Sequence, residues 1–102
     1  MSAPELDVTW DAAKAQVNII KHSVTFAQAA TVLLDPLALT VFDADHSETE
    51  DRWFTLGMSS DGQLLAVAHT YQPSETDRIR VRIISARKAK RPEREQYENE
   101  PR

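Results

Sequence analysis

The sequence has no cysteine, only two glycines and no long apolar run. Without cysteine, a disulfide framework, a thiolate zinc site and a cysteine nucleophile are excluded. Two isolated glycines do not make a glycine-rich phosphate loop. No apolar stretch approaches the roughly 18 residues of a membrane-spanning helix. The first ten residues carry Glu5 and Asp7 and lack the apolar segment of a signal peptide. We therefore expect a cytoplasmic protein.

The composition fits one compact domain. The chain has 102 residues, of which 41% are hydrophobic and 27% are charged, enough for a modest core and too few residues for two domains. Apolar segments extend from Val8 to Ile84, which excludes wholly disordered and collagen-like classes. We expect a single domain over residues 1–102.

Charge is strongly divided along the chain. The formal net charge is −4, but residues 1–77 carry three basic and twelve acidic side chains, whereas residues 78–102 carry nine basic and four acidic ones. Folding can gather the cations of this last quarter into a surface of positive potential. An anionic ligand is therefore plausible despite the acidic average.

Two helices are expected in the first third of the chain. Asp11 fits the N-cap of the first, whose Ala13, Val17 and Ile20 share one face, and residues 21–23 end it. Thr25–Gln28 fits a capping box for the second, which ends before Asp35-Pro36. Its apolar face comprises Phe26, Ala29, Ala30, Leu33 and Leu34. We predict a helical hairpin.

After Pro36 the pattern becomes extended. We predict an α+β fold in which this N-terminal hairpin packs on a four-stranded antiparallel sheet, with Ser60-Asp61-Gly62 as a hairpin turn. A short strand at residues 6–9 can add to the sheet edge. The tail at 91–102 contains Pro92 and Tyr97, and we expect it to form a short polar helix, frayed or dependent on a partner. The four predicted strands are Ala38–Phe42, Arg52–Met58, Gln63–Tyr71 and Arg78–Ile84.

The segment Arg78–Ile83 alternates arginine with Ile or Val. In a strand this alternation places three guanidinium groups on one face and three aliphatic groups on the other. Guanidinium groups suit phosphate, and their spacing of about 7 Å is close to that of successive phosphates. Equally, the row can be a solvated face whose charge the acidic loop 43–51 balances. Arg87 and Lys88 extend the row.

Three histidines, His22, His46 and His69, are the side chains best suited to proton transfer near neutral pH. No two of them have the spacing of metal ligands on a helix, so a metal site is weakly supported. His69 can also be a hydrogen-bonded residue of a strand, and His46 a solvated loop residue. Each histidine alone fits a structural role better than a catalytic one.

An ordered set of residues runs through about residues 8–97 and includes the characteristic run Arg82–Ala89. The set comprises Trp10-Asp11, Lys14, Asn18, Lys21-His22, Val24, Phe26 and Ala29, then Asp45-His46-Ser47, Glu50, Arg52, Gly57 and Ser59, then Leu64-Leu65, Val67 and His69-Thr70, and finally Arg82–Ala89, Glu93-Arg94 and Tyr97. In this set the chain resembles the BrnT-type toxins of bacterial type II toxin–antitoxin systems.

The resemblance implies a compact RelE-like fold, a ribonuclease that inhibits translation, and a cognate ribbon-helix-helix antitoxin that binds DNA and forms a heterotetramer with the toxin. Cleavage of RNA without a metal requires a base, cations for the phosphate and a proton donor, and no cofactor is expected. The candidate catalytic residues are His46, Glu50, Arg52, His69, Arg82 and Arg87. The candidate RNA-binding residues are Lys21, His22, Arg80 and Lys88.

Two other functions fit the same residues. One is a binding module that holds nucleic acid or an acidic protein and breaks no bond. The other is an assembly subunit whose cationic surface docks a partner. Incubation with RNA and a chelator separates catalysis from both.

Overall fold

The computed structural model describes residues 5–73 and 77–101. None of the helices in these two segments is long and apolar enough to cross a membrane. The elements, in chain order, are β1 (Glu5–Trp10), α1 (Ala12–His22), α2 (Phe26–Val32), β2 (Leu39–Phe42), a 3-10 turn (Ala44–His46), β3 (Trp53–Met58), β4 (Leu64–His69), β5 (Gln72–Pro73), β6 (Arg78–Lys88) and α3 (Arg91–Asn99).

The six strands form one mixed sheet rather than the predicted four-stranded antiparallel one. Its order is β1-β6-β4-β3-β2, with β5 also paired to β6. The strand β1 runs parallel to β6, whereas the other pairs are antiparallel. The edge strand expected at residues 6–9 is present as β1, but the prediction missed its parallel pairing with β6, the short β5 and the extension of β6 beyond Ile84 to Lys88. The first half of its outer edge, Arg78–Ile83, is free to pair with β1.

The turn between β3 and β4 is the predicted one. Gly62 has a φ of +83°, a left-handed conformation that glycine adopts without strain. The Ser59 amide donates to the Gln63 carbonyl at 2.8 Å. The side chain of Asp61 accepts from Gln28 at 2.7 Å, which fastens the turn to α2.

The helix α1 begins and ends as predicted, but the wrong face was assigned to the core. Asp11 caps it by accepting from the Lys14 amide at 2.9 Å. Val17 and Ile20 are nevertheless 48% and 82% exposed. The buried residue is Asn18, which donates to the Ala86 carbonyl at 2.8 Å and accepts from its amide at 3.0 Å. The Asn18 side chain thus pairs with the backbone of β6 beyond the point where the pairing with β1 ends. This contact determines which face of α1 lies against the sheet.

The helix α2 carries the predicted capping box, since the Thr25 hydroxyl accepts from the Gln28 amide at 3.0 Å and the Gln28 side chain from the Thr25 amide at 2.8 Å. Phe26 and Ala29 are buried as expected, whereas Leu34 is 74% exposed because the helix ends at Val32. The predicted hairpin is not confirmed: α1 contacts β6, and α2 packs on β3, β4 and β6.

Hydrophobic residues pack on both sides of the sheet. On one side a core lies beneath α2, and on the other Tyr97 of α3 packs against Leu56, Leu64 and Ala66. The Tyr97 hydroxyl also donates to Asp35 at 2.6 Å. The tail is therefore a helix, and Tyr97 anchors it to the sheet. The first core consists of Val24, Phe26, Ala29, Val32, Leu65, Val67, Ile83 and Ala86.

Replacing Ile83 with alanine is expected to lower the free energy of unfolding by about 2–5 kcal/mol, because the side chain is 1% exposed and the change leaves a cavity in the core. Urea denaturation measures the loss as a lower midpoint. Ile20→Ala is the matched control, since Ile20 is 82% exposed and its replacement is expected to cost less than about 0.5 kcal/mol. Equal midpoints for the two variants would contradict the burial of Ile83.

Candidate active site

One face of the sheet, here called the cationic face, carries Arg78, Arg80, Arg82 and Arg87. The alternation in β6 is the predicted one: Val81 and Ile83 are buried at 0% and 1% exposure, whereas Arg80 and Arg82 reach solvent. At the far end Arg78 pairs with Glu5 and Asp7 at 3.5 and 3.4 Å. In the described residues Arg80 has no ion pair, so it presents a free cation.

A bulge in β6 brings Arg87 onto this face. Arg82 and Arg87 are five residues apart, and a regular strand would place them on opposite faces. His69 pairs with Ile83, but Ala68 pairs with Ser85, so Ile84 is an extra residue. The extra residue reverses the alternation beyond it. Both guanidinium groups therefore project from the same face.

Three of the predicted residues meet at the middle of β6. Nη2 of Arg82 donates to Glu50, and Nη2 of Arg52 lies 3.8 Å from the same carboxylate oxygen. All three side chains are about one-third exposed. Nε of Arg52 is buried and has no hydrogen-bond partner among the described residues. The Glu50 carboxylate thus contacts the guanidinium groups of Arg52 and Arg82. Each of these guanidinium groups retains N–H groups that can bind an anion.

The loop that carries Glu50 also carries His46, and hydrogen bonds hold its two ends together. The Asp43 amide donates to the Arg52 carbonyl at 2.9 Å. The Ser47 hydroxyl donates to the Asp43 carbonyl at 2.6 Å and accepts from the Arg52 amide at 3.0 Å. His46 and Arg52 consequently line one shallow pocket of about 270 Å³, together with Asp45, Glu48 and Thr49.

His46 is oriented by a residue that the sequence analysis missed. Its Nδ1 lies 2.9 Å from the carboxylate of Asp43, and its side chain is 67% exposed. A carboxylate at Nδ1 fixes the ring and leaves Nε2 free to exchange a proton with a ligand. The signal was the spacing of three residues, because the 3-10 turn Ala44–His46 places residues 43 and 46 side by side.

Arg87 is fixed by Glu93, a second residue that was missed. Its Nη1 and Nη2 donate to the two carboxylate oxygens at 2.7 and 3.0 Å. These hydrogen bonds raise the pKa of Arg87 and lower the pKa of Glu93. The guanidinium carbon also lies 5.6 Å from the centre of the Phe54 ring, within range of a cation–π contact. Arg87 is thus a rigid part of the cationic face.

His69 lies inside the molecule, away from this cluster. It is 0% exposed, and its Nε2 lies 2.6 Å from the Thr55 hydroxyl while its Nδ1 lies 3.2 Å from the Thr70 carbonyl. The carbonyl requires a proton on Nδ1, so Nε2 accepts from Thr55. Burial lowers the pKa of His69, so the ring is neutral. Its contacts are those of a residue that joins strands.

The fold disfavours the charged form of His69. As the pH falls, the His69 ring is therefore protonated at a higher pH in the unfolded chain than in the folded protein. We expect the free energy of unfolding to decrease when the pH is lowered from 7 through about 6.5 and on to about 5. Urea midpoints measured over this range test it. In His69→Gln the decrease should be smaller than in the wild type. An identical decrease in His69→Gln would contradict a neutral buried histidine.

The remaining candidates do not join the cluster. Lys88 pairs in register with Leu65 and lies on the opposite face from Arg87. Lys21 and His22 line a separate groove with Val17, Ile84 and Ser85, beside the edge that Asn18 covers. No group of three or more His, Cys, Asp or Glu side chains in residues 5–73 and 77–101 is arranged to hold a metal ion.

Comparisons with known proteins bear on this site. A family model described as "Ribonuclease toxin, BrnT, of type II toxin-antitoxin system" matches residues 10–93. The crystal structure of the Brucella abortus ribonuclease toxin BrnT is similar at 26% sequence identity and a TM-score of 0.61. The match covers 84% of this chain and 99% of that one. A comparison with curated protein sequences gives no significant match.

Proposed function

The chain belongs to the BrnT family of ribonuclease toxins of type II toxin–antitoxin systems, and from this premise we propose that its cationic face cleaves RNA without a metal ion. The observation that carries the proposal is the cluster in which Glu50 holds Arg52 and Arg82, beside a loop that presents His46. This cluster combines fixed positive charge with groups that exchange protons. Both are needed to cleave a phosphodiester bond.

In the proposed reaction the 2′-oxygen of a ribose forms a bond to the adjacent phosphorus, and the bond from phosphorus to the 5′-oxygen breaks. The products are a 2′,3′-cyclic phosphate and a 5′-hydroxyl, so water is not consumed in this step. One proton leaves the 2′-hydroxyl and one reaches the departing 5′-oxygen. We assign these two proton transfers to His46 and Glu50, and Asp43 keeps the His46 ring in position.

The guanidinium groups of Arg82 and Arg52 stabilise the extra negative charge that develops on the phosphate. Among the described contacts of Arg82, only Nη2 is used by Glu50. Its other guanidinium N–H groups and the Nη groups of Arg52, whose side chain is 32% exposed, are available to phosphate oxygens. Arg87 and Arg80 extend the positive surface along β6 and bind the flanking nucleotides. His69 has no role in this scheme, because it is buried.

Pure protein is expected to cut RNA into discrete fragments in the presence of EDTA, at the rate seen without it. The reason is that side chains of the chain itself supply both the charge and the proton transfer. Gel electrophoresis of a defined transcript measures the cleavage. Activity that EDTA removes and a divalent ion restores would overturn the mechanism, and RNA binding without cleavage would favour the alternative of a non-catalytic binding module.

We further propose that the cognate antitoxin is a ribbon-helix-helix protein that covers the cationic face in a cytoplasmic heterotetramer, inhibits cleavage and makes the DNA contacts of the complex. Acidic groups of the partner can meet Arg80, which has no ion pair among the described residues. In the complex, Arg82 and Arg87 should be protected from an arginine-modifying reagent. An inactive complex in which both react as in the free protein would contradict this arrangement.

A further inference from the structure

An apolar groove lies on the cationic face, between α3 and the strands β2 and β3. Its volume is about 220 Å³. Phe54 is half-buried in its wall, and Val41 is 56% exposed beside it. The groove is lined by Leu39, Val41, Phe54, Leu56, Ala66, Arg87, Glu93 and Gln96.

The polar groups of this groove are all planar and lie together. Arg87 has its guanidinium carbon 5.6 Å from the Phe54 ring centre and is held there by both oxygens of Glu93. Gln96 follows Glu93 on α3 by three residues, so the two side chains lie on the same side of the helix. The groove therefore has apolar walls and one side rich in hydrogen-bond donors and acceptors.

We propose that this groove, here called the base slot, binds one unpaired nucleobase of the RNA. The proposal rests on the proposed ribonuclease function and assigns a substrate subsite to the same face. A nucleobase has two apolar faces and a polar edge, and proteins bind single-stranded RNA by stacking bases on aromatic rings or guanidinium planes. Phe54 and Arg87 provide the stacking surface. The Gln96 amide offers one donor and one acceptor group to the base edge.

The position of the slot relative to the cleavage cluster indicates which base it reads. Arg82 belongs to the cluster and Arg87 to the slot, and both project from the same face of β6. The strand between them spans roughly 15 Å, which an extended RNA strand covers with about two nucleotides. The slot should therefore hold a base about two nucleotides from the bond that is cleaved.

A segment of another protein is a less suitable occupant. An apolar groove for a peptide needs apolar anchors, whereas here three of the eight lining side chains are Arg87, Glu93 and Gln96. The guanidinium is also already fixed against an aromatic ring before any ligand binds. The groove adjoins the arginines of β6, so it suits a ligand that carries both phosphate groups and flat rings.

The test uses a short single-stranded oligonucleotide that contains the fluorescent base 2-aminopurine and 2′-O-methyl riboses, so that it binds but cannot be cut. Wild-type protein should quench the fluorescence on binding, because the base stacks. Phe54→Leu, which keeps the apolar volume, and Gln96→Ala, at an exposed position, should each weaken binding about tenfold. The matched control is Phe42→Leu, since Phe42 is on the neighbouring strand β2 and packs on Trp53 with ring centres 5.1 Å apart.

Unchanged oligonucleotide affinity in both Phe54→Leu and Gln96→Ala would overturn the base slot, as would an equal loss in Phe42→Leu. Loss of antitoxin binding in these variants with full oligonucleotide affinity would instead assign the groove to a protein partner. The cleavage assay in EDTA is separate, so a protein that binds and quenches the oligonucleotide without cutting RNA would retain the slot and refute the ribonuclease proposal.

Discussion

Arg82→Ala is expected to reduce RNA cleavage by a factor of about 10²–10³ and to abolish growth arrest in cells. In the proposed reaction Arg82 supplies a positioned cation at the phosphate, and loss of one such group from an active site commonly costs this much in rate. Its side chain is 39% exposed and its ion pair is with the equally exposed Glu50. Pairs of this kind contribute little to stability, so the variant should fold normally.

Arg78→Ala is the matched control for this experiment. Arg78 lies on the same face and the same strand, but it pairs with Glu5 and Asp7 at the far end of the sheet. Its loss should change the cleavage rate by no more than a few-fold. Growth arrest by an Arg82→Ala protein that is folded and normally expressed would refute the role given to Arg82.

His46→Gln is expected to lower the maximal cleavage rate by a factor of about 10²–10⁴ and to remove one limb of the pH–rate profile. General acid–base catalysis by a positioned side chain contributes an effect of this size. Glutamine keeps the polarity of the side chain but cannot exchange the proton. Because His46 is 67% exposed, the substitution should leave the urea midpoint unchanged, and the rate change should therefore report chemistry alone.

Asp43→Asn tests the same histidine by a milder change. An asparagine side chain can still contact the ring but no longer places a negative charge beside it, so a smaller loss of cleavage rate than in His46→Gln is expected. Full activity in the double variant His46→Gln/His69→Gln would show that the arginines and Glu50 carry the reaction by electrostatics, without a histidine.

Local patterns predicted much of the fold, where they were strong and self-contained. The N-cap Asp11, the capping box at Thr25–Gln28 and the turn at Gly62 were all predicted, because each depends on residues within four positions of one another. The alternation in Arg78–Ile83 likewise gave the correct faces of β6. These elements need no knowledge of the rest of the chain.

The errors arose where contacts between residues far apart in the sequence determine the structure. The face of α1 is set by Asn18 and its hydrogen bonds to Ala86, 68 positions away, and hydrophobic spacing cannot register such a contact. The parallel pairing of β1 with β6 is a similar long-range effect. The bulge at Ile84 leaves no local signal either, yet it alone places Arg87 on the face that holds Arg82.

The residue types of the candidate site were selected from the sequence, and the structure brings only some of those residues together. Arginine, glutamate and histidine were selected for what phosphate cleavage requires, and Glu50, Arg52 and Arg82 do meet. The sequence favoured His46 over His69 only slightly, for its place on a loop with Glu50 and Arg52. The decisive difference is burial, since His46 is on an exposed loop and His69 is 0% exposed.

The most direct test of the account is cleavage of an RNA that carries a single 2′-deoxynucleotide at a mapped cleavage position, in the presence of EDTA. The proposed reaction requires attack by the 2′-oxygen at that position. We expect the bond after the deoxynucleotide to remain intact, while neighbouring sites are cut and leave 2′,3′-cyclic phosphate and 5′-hydroxyl ends. Cleavage at the deoxynucleotide at the rate of the all-ribose RNA would contradict the account.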